Sequence, residues 1–202
     1  MLFPSGMGAI WAVMRRACLI AGTDRPRVVL IPDEVYCDVK RAASALCEEF
    51  ESLVCRTFAA GDTDDALERV RQVQEEGLHL ALFFAESVSN PNARACDWTV
   101  VGQALPDTAL FVMDNTWLTG LLWNPLRAVK RVDAVVESCS KYLSAGQCIA
   151  GAVHARTNSV PLLAALRTDV RVQGLHVSPH HCRLISDAAT CLRDRMRAAG
   201  DR

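Results

Sequence analysis

The chain has 202 residues, is 50% hydrophobic and 22% charged, and carries 22 Lys and Arg residues against 23 Asp and Glu residues, for a formal net charge of -1. This length and composition predict a soluble globular domain. Because the basic residues are scattered rather than clustered, we expect neither a nucleic acid nor an anionic membrane surface as a partner.

No segment has the pattern of a membrane span or a secretion signal. The longest apolar stretches, such as residues 78–85, have the length of a strand and fall far short of the roughly 20 residues that cross a bilayer. The N-terminal residues lack a basic segment ahead of an apolar core. We therefore expect an intracellular, cytoplasmic protein.

The nine cysteines favour buried free thiols over a disulfide framework. Their number is odd, the chain is long, and Cys18, Cys55 and Cys148 lie in apolar patterns. No two cysteines have Cys-x-x-Cys spacing, and the cluster at residues 180–182 lacks a second pair of metal ligands. The sequence therefore predicts no structural metal.

Helical and strand-like patterns alternate along the chain. In chain order they predict a helix with its N-cap at Ser5, a strand at 28–31, a helix at 33–50, a strand at 52–58, a helix at 63–76, a strand at 78–85, a turn at 89–92, a helix ending near 105, strands at 109–113, 134–136 and 148–154, and helices at 160–166 and 179–199. This alternation predicts an α/β fold, with a mostly parallel sheet covered by helices on both faces.

In such a sheet, ligands bind beyond the carboxyl ends of the strands. Only three residues are lysines, and Lys141 alone follows an apolar strand directly. Partial burial there would lower the pKa of its amine and suit a Schiff base with an aldehyde. A solvated loop lysine is the alternative interpretation.

Further polar residues lie at other predicted strand and helix ends. Asp114 ends a strand, where its carboxylate could face a cation such as a protonated pyridine nitrogen or serve only in a turn. The first helix presents free amides to a phosphate, and hydroxyls beside Lys141 could add donors. These candidate phosphate-binding residues are Ser5, Gly6, Met7, Ser138 and Ser140. Together with Tyr36, which follows a predicted strand, these are the parts needed to hold pyridoxal phosphate.

Five motifs occur in order along the chain: Phe3-Pro-Ser-Gly-Met-Gly-Ala-Ile, Tyr36, Ala85-Glu-Ser-Val-Ser-Asn-Pro, Met113-Asp-Asn-Thr-Trp and Ser138-Cys-Ser-Lys-Tyr. With these motifs the chain resembles the pyridoxal-phosphate enzymes of cysteine and methionine metabolism, the trans-sulfuration family of cystathionine synthases and lyases, methionine lyases and homoserine-ester sulfhydrylases. The resemblance implies a three-layer large domain of the aspartate aminotransferase type I fold. It also implies a cofactor domain at 1–178 and, at 179–202, a helix that leads into a small C-terminal domain.

The resemblance also implies roles for single residues. Lys141 would be the Schiff-base lysine and proton carrier, and Asp114 would keep the pyridine nitrogen protonated. Tyr36 would stack on the ring as a second catalytic residue, Asn90 would bond near the phenolic oxygen, and Glu86 would either be structural or support the residues that contact the cofactor. The implied substrates are sulfur amino acids or homoserine esters, processed by β-elimination, γ-elimination or γ-replacement in a homodimer or homotetramer.

The chain departs from the family pattern in length and in its lysine loop. Family members are longer, with an N-terminal segment that reaches a neighbouring subunit's phosphate and a small domain whose arginine binds the substrate carboxylate. Residues 145–147 replace the usual Gly-His pair, which predicts a less rigid lysine loop. Two alternatives therefore stay open: a truncated, catalytically silent cofactor-binding fragment, and an unrelated doubly wound domain that binds another phosphate ligand.

Overall fold

A seven-stranded sheet in the order β1-β7-β6-β5-β4-β2-β3 runs through the described part of the computed structural model, which comprises residues 1–22, 24–156 and 159–200. The strands are β1 (Leu2–Phe3), β2 (Arg27–Pro32), β3 (Leu53–Phe58), β4 (His79–Glu86), β5 (Leu110–Asp114), β6 (Ala134–Ser138) and β7 (Gly151–Ala155). Strands β2 to β6 pair in parallel, whereas β7 pairs antiparallel with both β6 and β1. The predicted mostly parallel α/β sheet is confirmed.

Helices cover both faces of this sheet. They are α1 (Gly6–Ile20), α2 (Cys37–Glu49), α3 (Thr63–Glu75), α4 (Trp98–Ala104), α5 (Thr119–Leu122), α6 (Pro125–Ala128), α7 (Val160–Val172), α8 (Pro179–Thr190) and α9 (Leu192–Gly200). Helices α1, α2 and α7 pack on one face, and α3 and α4 pack on the other.

Strand β4 shows why the central strands are apolar along their whole length. Phe84 packs in the cluster under α1 and α2, while its neighbour Phe83 packs in the opposite cluster. The Phe83 ring stacks on Phe58 at 4.9 Å and meets Phe111 edge-on at 5.3 Å between centroids. Each fully buried phenylalanine contributes roughly 2–3 kcal/mol of hydrophobic stabilisation. The buried centre of the sheet thereby gives the residues at its carboxyl edge a rigid base.

Some predicted boundaries were wrong. The helix predicted at 33–50 begins only at Cys37, because residues before it bond elsewhere: the Asp33 amide donates to the Phe58 carbonyl, and its carboxylate accepts from the Ala60 amide. The helical stretch predicted at 179–199 divides at Cys191, where the Thr190 hydroxyl donates to the Asp187 carbonyl. The last predicted strand, 148–154, begins at Gly151, and β1, α5 and α6 were not predicted.

The other expectations from composition have mixed outcomes. All nine cysteines are free; Cys18 and Cys148 are buried as predicted, but Cys55 is only half-buried. Across the described ranges, no helix is both long and apolar enough to traverse a bilayer. In that same part of the chain, His, Cys, Asp and Glu side chains form no group suited to a metal ion. The predicted division at residue 178 stays a prediction, and residues 201 and 202 lie outside the described ranges.

Candidate functional site

A cavity of about 710 Å³ lies at the carboxyl edge of the sheet. All the residues predicted to bind the cofactor line it: Ser5, Gly6, Met7, Tyr36, Asn90, Asp114, Ser138, Ser140 and Lys141. The lining also includes residues to which the sequence had given no binding role: Ile10, Glu86, Val88, Thr116, Trp117, Tyr142 and Ile149. Segments far apart in the sequence therefore converge on one cavity.

The N-terminus of α1 forms one end of the cavity. Ser5 is the N-cap, and its Oγ accepts the Gly8 amide at 2.9 Å. The amides of Gly6 and Met7 lie in the first turn of α1, where no preceding helical carbonyl can accept them. They are therefore available to a ligand. A Cβ on Gly6 would lie 2.9 Å from the Ser138 Cβ, and one on Gly151 would lie 2.3 Å from the Ser5 carbonyl oxygen. Glycine at these two positions lets α1 approach β6 and β7 closely.

Hydroxyl groups continue the cavity wall beside α1. The Oγ atoms of Ser138 and Ser140 lie 2.7 Å apart, within hydrogen-bond distance. The Ser138 amide donates to Thr116 Oγ1 at 2.8 Å, which fixes the end of β6 to the segment after β5. Hydroxyls and free amides at one end of a cavity form a suitable setting for a phosphate.

Asp114 lies on the cavity floor at the end of β5. Its Oδ1 accepts the Thr116 amide at 2.8 Å. Burial raises the pKa of this carboxyl to about 6, and the nearby Glu137 carboxylate adds to the rise, while the bonds from Thr116 oppose it. Within the described residues the carboxylate forms no ion pair, so a protonated ring nitrogen would supply the cation that it lacks.

Glu86 ends β4 and pairs in register with Asp114. Its Oε1 accepts the Tyr36 amide at 3.0 Å, and its Oε2 accepts the Asn90 amide at 2.9 Å. Burial raises the pKa of Glu86 to about 7; the two amide bonds lower it, and the nearby carboxylates of Asp114 and Glu34 raise it further. Glu86 is therefore bonded directly to two residues that are predicted to contact the cofactor.

Tyr36 and Lys141 face the cavity from different sides. Tyr36 is 42% exposed at the N-cap position of α2, and the neighbouring Asp38 carboxylate raises the pKa of its phenol. Lys141 is exposed, rather than partly buried as predicted, because it lies in the loop that leaves the sheet after β6. Its amide meets the Ser138 carbonyl only at 3.5 Å, at the limit of a hydrogen bond.

A family model described as Cys/Met metabolism PLP-dependent enzyme matches residues 1–201 of this chain. Among curated proteins, the chain is 29% identical over 195 residues to cystathionine beta-lyase of Neurospora crassa, covering 95% of this chain and 39% of that protein. It is also 29% identical over 154 residues to cystathionine beta-lyase of Saccharomyces cerevisiae, covering 74% of this chain and 32% of that protein.

Solved structures share the fold. Cystathionine gamma synthase from Xanthomonas oryzae pv. oryzae, in complex with cystathionine, superposes with a TM-score of 0.79 at 26% identity, covering 96% of this chain and 46% of that one. A putative O-acetylhomoserine (thiol)-lyase from Campylobacter jejuni superposes with a TM-score of 0.78 at 21% identity, covering 96% of this chain and 52% of that one.

The chain thus spans less than two-fifths of the curated relatives' length and about half of the solved chains. Its match to the family model, however, extends from the first residue to the last but one. The chain belongs to the pyridoxal-phosphate-dependent enzymes of cysteine and methionine metabolism.

Proposed function

We propose that this chain is the cofactor-binding part of a trans-sulfuration enzyme that acts on sulfur amino acids or homoserine esters by elimination or γ-replacement. The observation that carries the proposal is the convergence of a lysine, a half-buried carboxylate and a helix N-terminus on one cavity. Relatives named for β-lyase and γ-synthase reactions support the reaction class at this level, without a choice between its members.

The residues present fit pyridoxal phosphate. Gly6 leaves room where a Cβ would collide with Ser138, and Asp114 is a half-buried acid that lacks a cation among the described residues. In the proposed arrangement each part of the cofactor has its own contacts. Asp114 would face the pyridine nitrogen, Tyr36 the ring face and Asn90 the phenolic oxygen, and Lys141 would bind the aldehyde. The phosphate would be bound by Ser5, Gly6, Met7, Ser138 and Ser140.

When bound, pyridoxal phosphate supplies an electron sink for negative charge at a substrate carbon. Asp114 would keep a proton on the pyridine nitrogen, because the ion pair would stabilise both charges away from bulk water. Tyr36 would cover one face of the ring and limit the access of water to it. Lys141 Nζ would hold the cofactor aldehyde and would be the group placed to carry protons between substrate carbons.

We further propose a homodimer or homotetramer as the working state in the cytoplasm, with a small amino acid as the substrate. Apolar and aromatic side chains on the cavity rim support association: Trp117, Tyr142 and Ile149 are 42%, 39% and 65% exposed. Exposed apolar surface of this kind favours contact with protein. Light-scattering chromatography checks this, since a sharp monomer peak would contradict it.

Reduction with borohydride tests the proposed function. The chain is purified with pyridoxal phosphate, reduced, and digested for mass spectrometry to locate any modified lysine. We expect the label on Lys141 and its loss in Lys141→Ala. Lys40→Ala and Lys130→Ala are matched controls, because both lysines are exposed and lie outside the cavity.

A label spread over all three lysines, or none, would refute the cofactor site. Where Lys141 is labelled, assays with cystathionine and homoserine esters decide between a working enzyme and a silent cofactor-binding fragment. Turnover supports the enzyme, and labelling without turnover supports the fragment.

A further inference from the structure

We propose that Glu86 is a positioning residue whose single carboxylate holds Tyr36 and Asn90 in place on the cofactor cavity. The roles of these two residues toward the cofactor rest on the proposed function. The geometry that ties them to Glu86 does not.

The two carboxylate oxygens of Glu86 serve two different segments. One accepts the Tyr36 amide at the start of α2, and the other accepts the Asn90 amide in the turn after β4. The side chain is 7% exposed, so water does not readily replace either bond. A shift of this carboxylate would therefore move two contacts of the cavity at once.

A second carboxylate joins the same two segments, but it belongs to the segment after β2 and bonds to the segment after β4. Glu34, in the segment that contains Tyr36, accepts bonds from the Ser89 hydroxyl and from the amide and side chain of Asn92. The segments after β2 and β4 are thus joined from both sides. Of these two carboxylates, Glu86 is the one that accepts the amides of Tyr36 and Asn90.

The chemistry of the position requires an acid. An ionised carboxylate offers an acceptor to each amide, whereas glutamine offers one carbonyl oxygen and would direct its own N–H groups at the second amide. Burial raises the pKa of Glu86, which means that holding the ionised form here costs folding free energy. That cost is typical of a functional site rather than of a residue that stabilises the fold.

Amide hydrogen exchange of the chain without cofactor tests the contact itself. In Glu86→Gln we expect exchange at Tyr36 or Asn90 to accelerate about tenfold, as expected for the loss of one buried hydrogen bond. Glu34→Gln is the matched control, with faster exchange at Asn92 and unchanged exchange at Tyr36. Circular dichroism confirms that each variant folds, and Glu86→Asp, too short to reach both amides, serves as the second variant.

Titration with pyridoxal phosphate tests the consequence for the cofactor. We expect Glu86→Gln to weaken binding about tenfold and to reduce the visible circular dichroism of the bound cofactor, with Lys141 still labelled at saturation. Unchanged exchange at both amides, or equal binding by Glu86→Gln and Glu34→Gln, would overturn the positioning role. If wild type binds no cofactor while Glu86→Gln shows the expected exchange, the proposed function fails and the contact stands.

Discussion

Two sides of the cavity are built differently. The tyrosine wall comprises residues 33–37 and 86–92, and the lysine wall comprises residues 138–149. Two carboxylates, Glu34 and Glu86, cross-link the tyrosine wall with short bonds to backbone and side chains. The lysine wall is anchored at its base, where the Ser144 amide donates to the Cys139 carbonyl at 2.8 Å, but the amides of Lys141 and Ala145 meet their acceptors only at 3.5 and 3.3 Å.

This difference matches what the two walls are proposed to do. A surface that stacks on a flat ring works best when it is held in one place before the ligand arrives. A lysine that first anchors a cofactor and then carries protons has to change its position during the reaction. The lysine wall therefore has a fixed base and a loosely bonded tip, with residues 145 and 146 both at positive φ.

The largest effect is expected from Gly151→Ala, a substitution in β7 directly after the lysine wall. The added Cβ would lie 2.3 Å from the Ser5 carbonyl oxygen, so α1 and β7 have to move apart. We expect a loss of about 3 kcal/mol in the free energy of unfolding, measured by denaturant titration. Gly120→Ala is the control, since its Cβ would have no neighbour closer than 3.9 Å. Faster amide exchange at Tyr36 in Gly151→Ala would show that the two walls are not independent.

The carboxylates of the tyrosine wall predict a dependence of stability on pH. Burial raises the pKa of Glu86 from 4.5 to about 7. Between these values the folded state holds a proton that the unfolded state has lost, so the contribution of Glu86 to the free energy of unfolding rises as pH falls. Relative to Glu86→Gln, we expect wild type to gain on the order of 3 kcal/mol between pH 8 and pH 4. Parallel pH profiles of the two proteins would contradict a buried, ionisable Glu86.

Asp114 lies between the walls, and its charge is proposed to matter for chemistry more than for binding. In Asp114→Asn the amide keeps an acceptor for Thr116 but no longer pairs with a protonated ring nitrogen. With pyridoxal phosphate bound, we expect exchange of an amino acid's α-proton with solvent, followed by NMR, to slow by about a hundredfold. The exposed Asp107→Asn is the control. Equal loss of cofactor binding and of proton exchange would assign Asp114 to binding alone.

Sequence patterns were sufficient where local chemistry decides the structure. Continuous apolar runs such as residues 78–85 predicted strands, and the polar residues after them predicted the cavity, because parallel strands end at one edge. The late start of α2 was missed, since it depends on bonds from Asp33 to residues of β3 and its following turn. Trp117 lies in one of the five motifs but was given no role, and Ile149 was missed, because an apolar side chain carries little signal of a binding role until the fold brings it to the cavity.

The smallest expected effect comes from Ser144→Ala, within the lysine wall. Ser144 is buried, and its hydroxyl donates to the Cys148 carbonyl at 3.2 Å, which closes the loop that begins after Ser138. The same hydroxyl accepts the Cys148 amide at 3.5 Å, at the limit of a hydrogen bond, so its removal costs about 1 kcal/mol of unfolding free energy, mostly through the shorter bond. We expect faster amide exchange at Lys141 but not at Tyr36, because no described hydrogen bond links Ser144 or Lys141 to Glu86 or to the two amides that Glu86 accepts.

Thr168→Ala is the matched control for that variant. It also removes a hydroxyl bonded to a carbonyl, at 3.2 Å to Ala164, but on an exposed helix surface, where we expect a change within about 0.5 kcal/mol. If Ser144→Ala leaves exchange at Lys141 as slow as in wild type, the loop is held by its backbone bonds alone. The contrast between a cross-linked tyrosine wall and a loosely bonded lysine wall would then lie only at the loop tip, where the long bond between Lys141 and Ser138 remains.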